Sequence, residues 1–323
     1  MTTMERKRID TEAQGLAGSS SPRARCRRGP AIGAAALSAV FLFAAAVSAQ
    51  TLDGEIVIAA DGLRLERPSS LAVSPSGEQI AVADPQANRI AVIDYFGRPL
   101  WSAGGAVDLG RPLAVAFTGE NELVFTRTAD LRILRLIRDN PAELDSIADL
   151  APVLEPHRRL DQLLRTPERG WLALDRKTGE VLRFDESWGY QGIAVPHGSG
   201  KGKVLVPSAL VPLADGRFVV TDEKNYPAQL FSAEGKFLLY FGWSSPGEER
   251  GWEAAGGTAD SRSLIWVADR TAAAFRIFDP AGGAVAAVPF PQPLFRPAAM
   301  TTTIDNRVLV LDEFGRALFY RVQ

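Results

Sequence analysis

The sequence is poor in the side chains that most often carry covalent or metal chemistry. Among its 323 residues there is one cysteine, Cys26, and there are two histidines, His157 and His197. Cys26 precedes the apolar segment described below, so no cysteine follows that segment. The rest of the chain therefore has no disulfide, thiol nucleophile or thiolate metal site. Two histidines do not suffice for a histidine-rich zinc site. The sequence also lacks G-x-S-x-G, the pattern around the nucleophilic serine of many hydrolases.

Positive charge is concentrated at the N-terminus and is not in excess elsewhere. Residues 1–29 hold seven Arg or Lys and three acidic residues, and residues 30–49 hold no charge. Since the whole chain has a formal charge of −2, a net −6 remains for residues 50–323. A mildly acidic body argues against nonspecific nucleic-acid binding, which needs a basic surface.

Long apolar runs are confined to one segment near the N-terminus. Residues 31–47 contain no charge, follow the basic stretch RARCRRGP, and lead to small residues just before Gln50. This layout predicts a secretory signal peptide over residues 1–49, and therefore a periplasmic or secreted body over residues 50–323. The alternative is an uncleaved membrane anchor, residues 30–49, whose flanking arginines obey the positive-inside rule.

The body of the chain consists of short strand patterns separated by turn residues. The stretch from Arg67 to Gly105 contains four of them: SSLAVS, QIAVAD, RIAVID and PLWSAG. Each is rich in β-branched or small apolar residues, and the joints carry Pro, Gly, Ser and Asp. Four short strands in a unit of roughly 40–50 residues are typical of a propeller blade.

The same unit recurs five more times, so we predict an all-β, six-bladed β-propeller over residues 50–323. Two sets of regularly spaced residues support the count. The residues that follow each second strand are Asp84, Arg127, Asp175, Asp222, Asp269 and Asp312, which are 43 to 48 residues apart. The prolines that open blades are Pro68, Pro112, Pro207 and Pro297.

The sixth copy has three strands before the chain ends at Gln323. A further strand pattern, GEIVIAADGL at residues 54–63, precedes the first blade. We therefore expect the N-terminal strand to complete the last blade and close the ring, which removes the exposed sheet edges.

Two stretches resemble NHL repeats: IAVADPQANRIAVIDYFGRPL at 80–100 and IWVADRTAAAFRIFDPAGGAV at 265–285. Both follow the pattern of an apolar strand, Asp, a short loop, Arg, and a second apolar strand ending near Asp-x-x-Gly. The resemblance covers residues 51–323 and implies a six-bladed NHL/TolB-like propeller, but it says little about activity. Arg127, in place of the recurring Asp, departs from the pattern.

The recurring aspartates have a structural and a metal-binding interpretation. An Asp at the end of a strand can accept hydrogen bonds from the amides two or three residues on and so shape the turn. Arginines that open third strands are expected to pair with them: Arg89, Arg183, Arg276 and Arg316. The alternative is a divalent cation such as calcium, held by oxygen ligands from Asp175, Asp222, Asp269 and Asp312.

One face of the ring carries the candidate ligand-binding residues, because second-to-third-strand turns and blade connections share that face. The candidates are Arg127, Asp175, Asp222, Glu223, Lys224, Asp269, Asp312, Glu313, Trp243 and Trp252. Trp188, like Trp243 and Trp252, falls near a turn or connection and is expected to be exposed. No catalytic residue is singled out.

These features lead to three hypotheses. The main one is an exported, noncatalytic propeller that binds a protein, peptide or glycan through one face, without a cofactor. The alternative is a metal-dependent lactonase or hydrolase-like propeller enzyme. The third is a structural scaffold in the cell envelope. Contact with a membrane is expected only if the N-terminal apolar segment is not cleaved.

Overall fold

The computed structural model describes residues 51–57, 59–60, 63–105, 107–242, 252–290 and 297–321. All of them belong to the second of two compact units, Ala44–Gln323. Predictions that concern the signal peptide, the membrane anchor and Trp243 lie outside the described residues. Within these residues no helix is long and apolar enough to cross a membrane.

The described residues form six four-stranded antiparallel sheets and one short hairpin. The N-terminal strands are β1 (Thr51–Val57), β2 (Ala59–Ala60) and β3 (Leu63–Arg64). Blade 1 consists of β4 (Ser70–Val73), β5 (Gln79–Asp84), β6 (Arg89–Asp94) and β7 (Pro99–Gly104). Blade 2 consists of β8 (Pro112–Gly119), β9 (Glu122–Arg127), β10 (Arg132–Ile137) and β11 (Asn140–Asp149). Blade 3 consists of β12 (Gln162–Arg165), β13 (Trp171–Asp175), β14 (Glu180–Phe184) and β15 (Tyr190–Val195).

The second half of the ring repeats this order. Blade 4 consists of β16 (Pro207–Pro212), β17 (Phe218–Asp222), β18 (Ala228–Phe231) and β19 (Phe237–Phe241). Blade 5 consists of β20 (Ala254–Ala259), β21 (Ile265–Asp269), β22 (Ala274–Phe278) and β23 (Ala284–Pro289). Blade 6 contains β24 (Pro297–Thr302), β25 (Arg307–Asp312) and β26 (Arg316–Arg321), and β1 is antiparallel to β26.

The two middle strands of each blade are largely buried, because every blade is covered by a neighbour on either side. In β5 and β25 every residue is buried, and their apolar residues run almost without interruption. The outer strands behave differently. Exposed and less exposed residues alternate along β15 and β19, since one face of these strands meets solvent.

Six apolar clusters join each blade to the next. The cluster between blades 1 and 2 contains Ala83 and Phe125, and the cluster between blades 6 and 1 contains Phe319 and Ile80. Equivalent clusters lie at the four remaining interfaces. The first strands of all six blades also contact one another in sequence, including β24 with β4. The prediction of an all-β, six-bladed propeller is confirmed.

The recurring aspartates form the turns as predicted. Each side-chain oxygen Oδ1 accepts hydrogen bonds from backbone amides two to four residues further on, at 2.8–3.2 Å. The predicted pairing with third-strand arginines is present in blades 5 and 6, where Arg276 and Arg316 lie 2.7 and 2.6 Å from their aspartates. Arg183 instead donates to the carbonyl of Ala233.

These aspartates also fasten the connection that enters the blade. The amides of Glu66 and Arg67 donate to Asp84 at 2.6 and 3.2 Å, and the amide of Leu205 donates to Asp222 at 2.6 Å. The turn after the second strand and the connection before the first strand therefore lie on one face of the ring. Side chains from both segments meet at its centre.

Candidate functional site

A cavity of about 490 Å³ lies at the centre of this face, and every blade contributes to its wall. We call it the mouth. One residue per blade comes from the position directly after the recurring Asp or its blade 2 equivalent: Pro85, Thr128, Arg176, Glu223, Arg270 and Glu313. A smaller space of about 20 Å³ adjoins the mouth and shares five residues with it, among them Asp161 and Arg176. These two residues therefore lie at the floor of the mouth.

The charge of the mouth is biased toward arginine. Its wall contains Arg67, Arg111, Arg159, Arg176 and Arg270. The carboxylates in the same wall are Asp161, Glu223 and Glu313. Such an excess of guanidinium groups in a partly enclosed site favours ligands with carboxylate or phosphate groups, which arginine can bind through two parallel hydrogen bonds.

Two of these arginines present free guanidinium groups. Arg67 and Arg111 are exposed, and their guanidinium groups have no hydrogen bond or ion pair to any described residue. Their backbones, in contrast, are held. The carboxylate of Asp84 accepts the Arg67 amide at 3.2 Å, and Asn88 Oδ1 accepts the Arg111 amide at 2.7 Å. The structure thus positions two cations without neutralising them.

The backbone at Arg111 is in the left-handed region, with φ of 65°, and follows Gly110 with φ of 71°. This conformation is unfavourable for a residue with a Cβ and persists because its surroundings hold it. Asp108 accepts the Gly110 amide at 2.9 Å and Asn88 Nδ2 at 3.0 Å, and these hydrogen bonds lower the pKa of Asp108. The strained turn directs the Arg111 side chain to the mouth.

Asp161 is the most unusual titratable group of the mouth. Its residue is 4% exposed, and burial raises the pKa of its carboxyl above the ordinary aspartate value. The opposing contacts are an ion pair with Arg159 at 2.8 Å and a hydrogen bond from the Arg176 amide at 2.9 Å. A carboxyl with a raised pKa in a cleft, close to fixed cations, is suited to accept and return a proton.

Arg176 lies beside this carboxyl. One terminal nitrogen donates to the Ser208 carbonyl, whereas the buried Nε has no hydrogen-bond partner among the described residues. Burial also lowers the pKa of the Arg176 guanidinium, but an arginine remains charged at neutral pH. A buried cation with an unused donor at the floor of the mouth favours a negatively charged ligand atom there.

The structure separates the predicted ligand-binding residues into groups. Glu223 and Glu313 reach the mouth, and Glu223 pairs with Arg270 at 3.0 Å. Lys224 follows Glu223 in the chain, and its ammonium group lies 3.5 Å from Glu253. Arg127 is bound through both carboxylate oxygens to Asp130, which raises the pKa of Arg127 and lowers that of Asp130.

The remaining predicted residues are placed outside the mouth. Asp175, Asp222, Asp269 and Asp312 are buried, 0–1% exposed, in their turns. Trp252 is half-buried, stacks on Phe278 with ring centroids 6.4 Å apart, and donates its indole N–H to the Gly242 carbonyl at 2.7 Å. The expectation for Trp188 is wrong, because it is 6% exposed and stacks on Trp171 at 4.6 Å.

The donor set of the mouth does not suit a divalent cation. In the described part of the chain no group of three or more His, Cys, Asp and Glu side chains is placed to hold a metal ion. Asp161 and Glu223 are each paired with arginine, and additional guanidinium groups would repel a cation. The four aspartates of the calcium alternative lie in four different blades, and each accepts backbone hydrogen bonds in its turn.

Solved structures with this fold include enzymes. Virginiamycin B lyase from Staphylococcus aureus is 16% identical, with a TM-score of 0.58 over 82% of this chain and 83% of that chain. A streptogramin B lyase is 12% identical, with a TM-score of 0.58 over 84% and 98%. Regucalcin from Agrobacterium tumefaciens, a calcium-binding protein, is 15% identical, with a TM-score of 0.61 over 83% and 93%. No family model matches the sequence, and no curated protein matches it either.

These findings correct the main functional hypothesis. We expected a noncatalytic binding propeller because no catalytic pattern stands out in the sequence. The similar structures include two lyases, which favours the enzyme alternative. The mouth adds a reason that the sequence did not reveal, since its floor holds a buried carboxyl with a raised pKa among arginines.

Proposed function

We propose that the protein is an enzyme whose active site is the mouth and whose substrate is a small anion with a reactive carbonyl group. The observation that carries the proposal is Asp161, a buried carboxyl of raised pKa at the floor of an arginine-rich cavity. A general base and fixed positive charge are two elements that carbonyl chemistry requires.

Arg67 and Arg111 bind the anionic group of the substrate. Both guanidinium groups are exposed, free of partners among the described residues, and anchored through their backbones. The anion is therefore bound by groups that need little reorganisation, which lowers the entropic cost of binding. This arrangement leaves Arg176, deeper in the mouth, to face the reacting carbonyl oxygen.

Asp161 is the general base of the proposed reaction. It takes a proton from a water molecule, whose oxygen forms a bond to the carbonyl carbon of an ester or lactone. The negative charge that develops on the carbonyl oxygen is stabilised by Arg176. The C–O bond to the leaving oxygen then breaks, and the proton held by Asp161 passes to that oxygen. This reaction corresponds to the lactonase or hydrolase-like alternative stated from the sequence.

Elimination is the second candidate reaction, favoured by the structural similarity to two lyases. In that reaction Asp161 would take the proton from the carbon next to a carboxylate, and the arginines would stabilise the resulting enolate. The bond from the neighbouring carbon to the leaving oxygen would break as the double bond forms, and that oxygen would take up the proton held by Asp161. Both reactions use the same base and the same developing charge, and they differ in the product.

Whether the protein binds a divalent cation is a separate question from whether it is an enzyme. The sequence suggested calcium with four turn aspartates as ligands, and the donor set of the mouth does not fit it. No step of the proposed reaction therefore passes through a metal.

We further propose that the protein acts outside the cytoplasmic membrane, with residues 1–49 as its signal peptide and residues 30–49 as the anchor if cleavage fails. The basic, apolar and small-residue order of the N-terminus supports export. We also propose that β1 closes the ring as the outer strand of blade 6 and that the blades are NHL-like. The pairing of Val57 with Arg316 supports the closure.

The proposed function is tested by the substrate preference of the full chain and by the double variant R67Q/R111Q. Esters and lactones with a free carboxylate are compared with neutral isosteres, by acid release and by the ultraviolet absorbance of a new double bond. We expect turnover of the charged compounds. In R67Q/R111Q we expect KM to rise by at least about 10-fold, with kcat changed less, because charged hydrogen bonds contribute about 1.5–3 kcal/mol each.

The matched control is R98Q/R169Q, which removes two exposed arginines from turns on the opposite face of the ring. Their side chains are 74% and 75% exposed, each pairs with a nearby carboxylate, and Arg98 also lies over the Phe96 ring at 5.1 Å. This control should retain the kinetics of the unmodified protein. Equal turnover of neutral and charged compounds, or an unchanged KM in R67Q/R111Q, would contradict the proposal.

A further inference from the structure

A second cavity, of about 270 Å³, lies beside the mouth between blades 2 and 3. We call it the side cleft. Thr128 and Arg159 line both cavities, so the two spaces adjoin. The side cleft has not been used in the reaction proposed above. Its position makes it an extension through which a longer ligand could leave the mouth.

The side cleft is strongly basic. Five cationic side chains line it, against a single carboxylate, Asp130. The cations are Arg127, Arg132, Arg158, Arg159 and Lys177. This bias begins in the sequence, because Arg127 occupies the position that is Asp in the other five blades. The departure from the repeat therefore lies on the side of the ring where the mouth opens into the cleft.

Some of these cations are neutralised within the protein. Arg127 is bound to Asp130 at 2.5–2.9 Å, and Arg158 lies 2.5 Å from Glu180. Arg159 is paired with Asp161 at 2.8 Å, and Arg132 has two longer ion pairs, 3.9 Å to Asp130 and 3.8 Å to Asp149. The ammonium group of Lys177 has no hydrogen bond or ion pair to a described residue.

We propose that the side cleft is a second anion-binding subsite, so that the ligand of this face is a short linear chain with an acidic group on at least two neighbouring units. This inference rests on the proposed function, because the mouth is taken to hold the reacting unit. One acidic group is held by Arg67 and Arg111, and the next lies near Arg132 and Lys177. Oligouronates and short polyphosphates both have this chemistry.

The test measures binding by calorimetry with the full chain, independently of turnover. The probes are galacturonate and trigalacturonate in one series, and inorganic phosphate and tripolyphosphate in the other. We expect the trimer of at least one series to bind at least about 10-fold more tightly than its monomer, the gain from roughly two additional exposed charge contacts. The series that shows the gain identifies the acidic group.

The variant R132S/K177S should lose this gain while binding the monomer as before, since both side chains are exposed and lie outside the mouth. The control is R98S/K236S, which removes the same charge from turns on the opposite face and should keep the gain. Equal affinity for monomer and trimer in both series overturns the subsite, and so does a gain that persists in R132S/K177S. If trimers bind as expected but nothing is turned over, the subsite stands and the proposed enzymatic function fails.

Discussion

Replacing Asp161 with asparagine is expected to lower kcat by at least about 100-fold on any substrate found for the protein, since general bases contribute roughly 10²–10⁴-fold. The asparagine keeps an acceptor for the Arg176 amide, which lies 2.9 Å from the carboxylate, but it cannot take a proton. KM should change much less than kcat, because Arg67 and Arg111 still bind the anion. Steady-state kinetics of the full chain measure both constants.

The pH profile separates a base from a merely structural carboxyl. Burial raises the pKa of Asp161, so the unmodified protein should lose kcat/KM on the acid side at a pH above the ordinary aspartate pKa. Residual activity of D161N should lack this acid limb. D139N is the matched control, because Asp139 is exposed in a blade 2 turn and has no side-chain partner among the described residues.

The same pKa shift has a consequence for stability, with a definite sign. A carboxyl whose pKa is raised on folding contributes stability that is present below its unfolded pKa and lost as pH rises through its folded pKa. D161N should therefore reduce the loss of stability between acid and neutral pH.

A D161N variant with unchanged kcat and an unchanged acid limb would show that Asp161 takes no part in the reaction and would contradict the proposed mechanism.

The architecture could be predicted because its signals repeat. Asp84, Asp175 and Asp222 recur at one period, and each was interpreted as a turn residue from the chemistry of its side chain alone. The buried middle strands are short apolar runs bounded by turn residues, which is a local pattern. Repetition allowed one strong blade, residues 70–104, to identify weaker copies such as blade 3.

Most residues of the mouth were not predicted, because they lie one position beyond the recurring aspartates. Attention to the aspartates favoured Asp175 and Asp269, whereas the structure turns their neighbours, Arg176 and Arg270, into the mouth. A signal was present, since Arg-Pro opens blades 1 and 2 at Arg67 and Arg111. Asp161 belongs to neither of the two sets of regularly spaced residues. Its raised pKa depends on burial that a single sequence does not reveal.

The recurring aspartates lead to the second large expected effect, at Asp222. D222A should lower the free energy of unfolding by about 3–5 kcal/mol, because a buried acceptor is removed from several amides at once. The amides that lose it belong to Leu205, Val206, Lys224 and Asn225, at 2.6–3.2 Å. Chemical denaturation followed by tryptophan fluorescence measures the change.

Asp222 also separates the turn interpretation from the calcium interpretation, because the two predict different responses to a chelator. If Asp222 shapes a turn, D222A loses the same stability with calcium or with chelator, and D222N, which keeps one acceptor oxygen, loses less. The control D139A should change stability by no more than about 0.5 kcal/mol, as exposed substitutions usually do. A D222A effect that vanishes when calcium is removed from both proteins would instead make this carboxylate a metal ligand, since only the loaded, unmodified protein would then carry the extra stability.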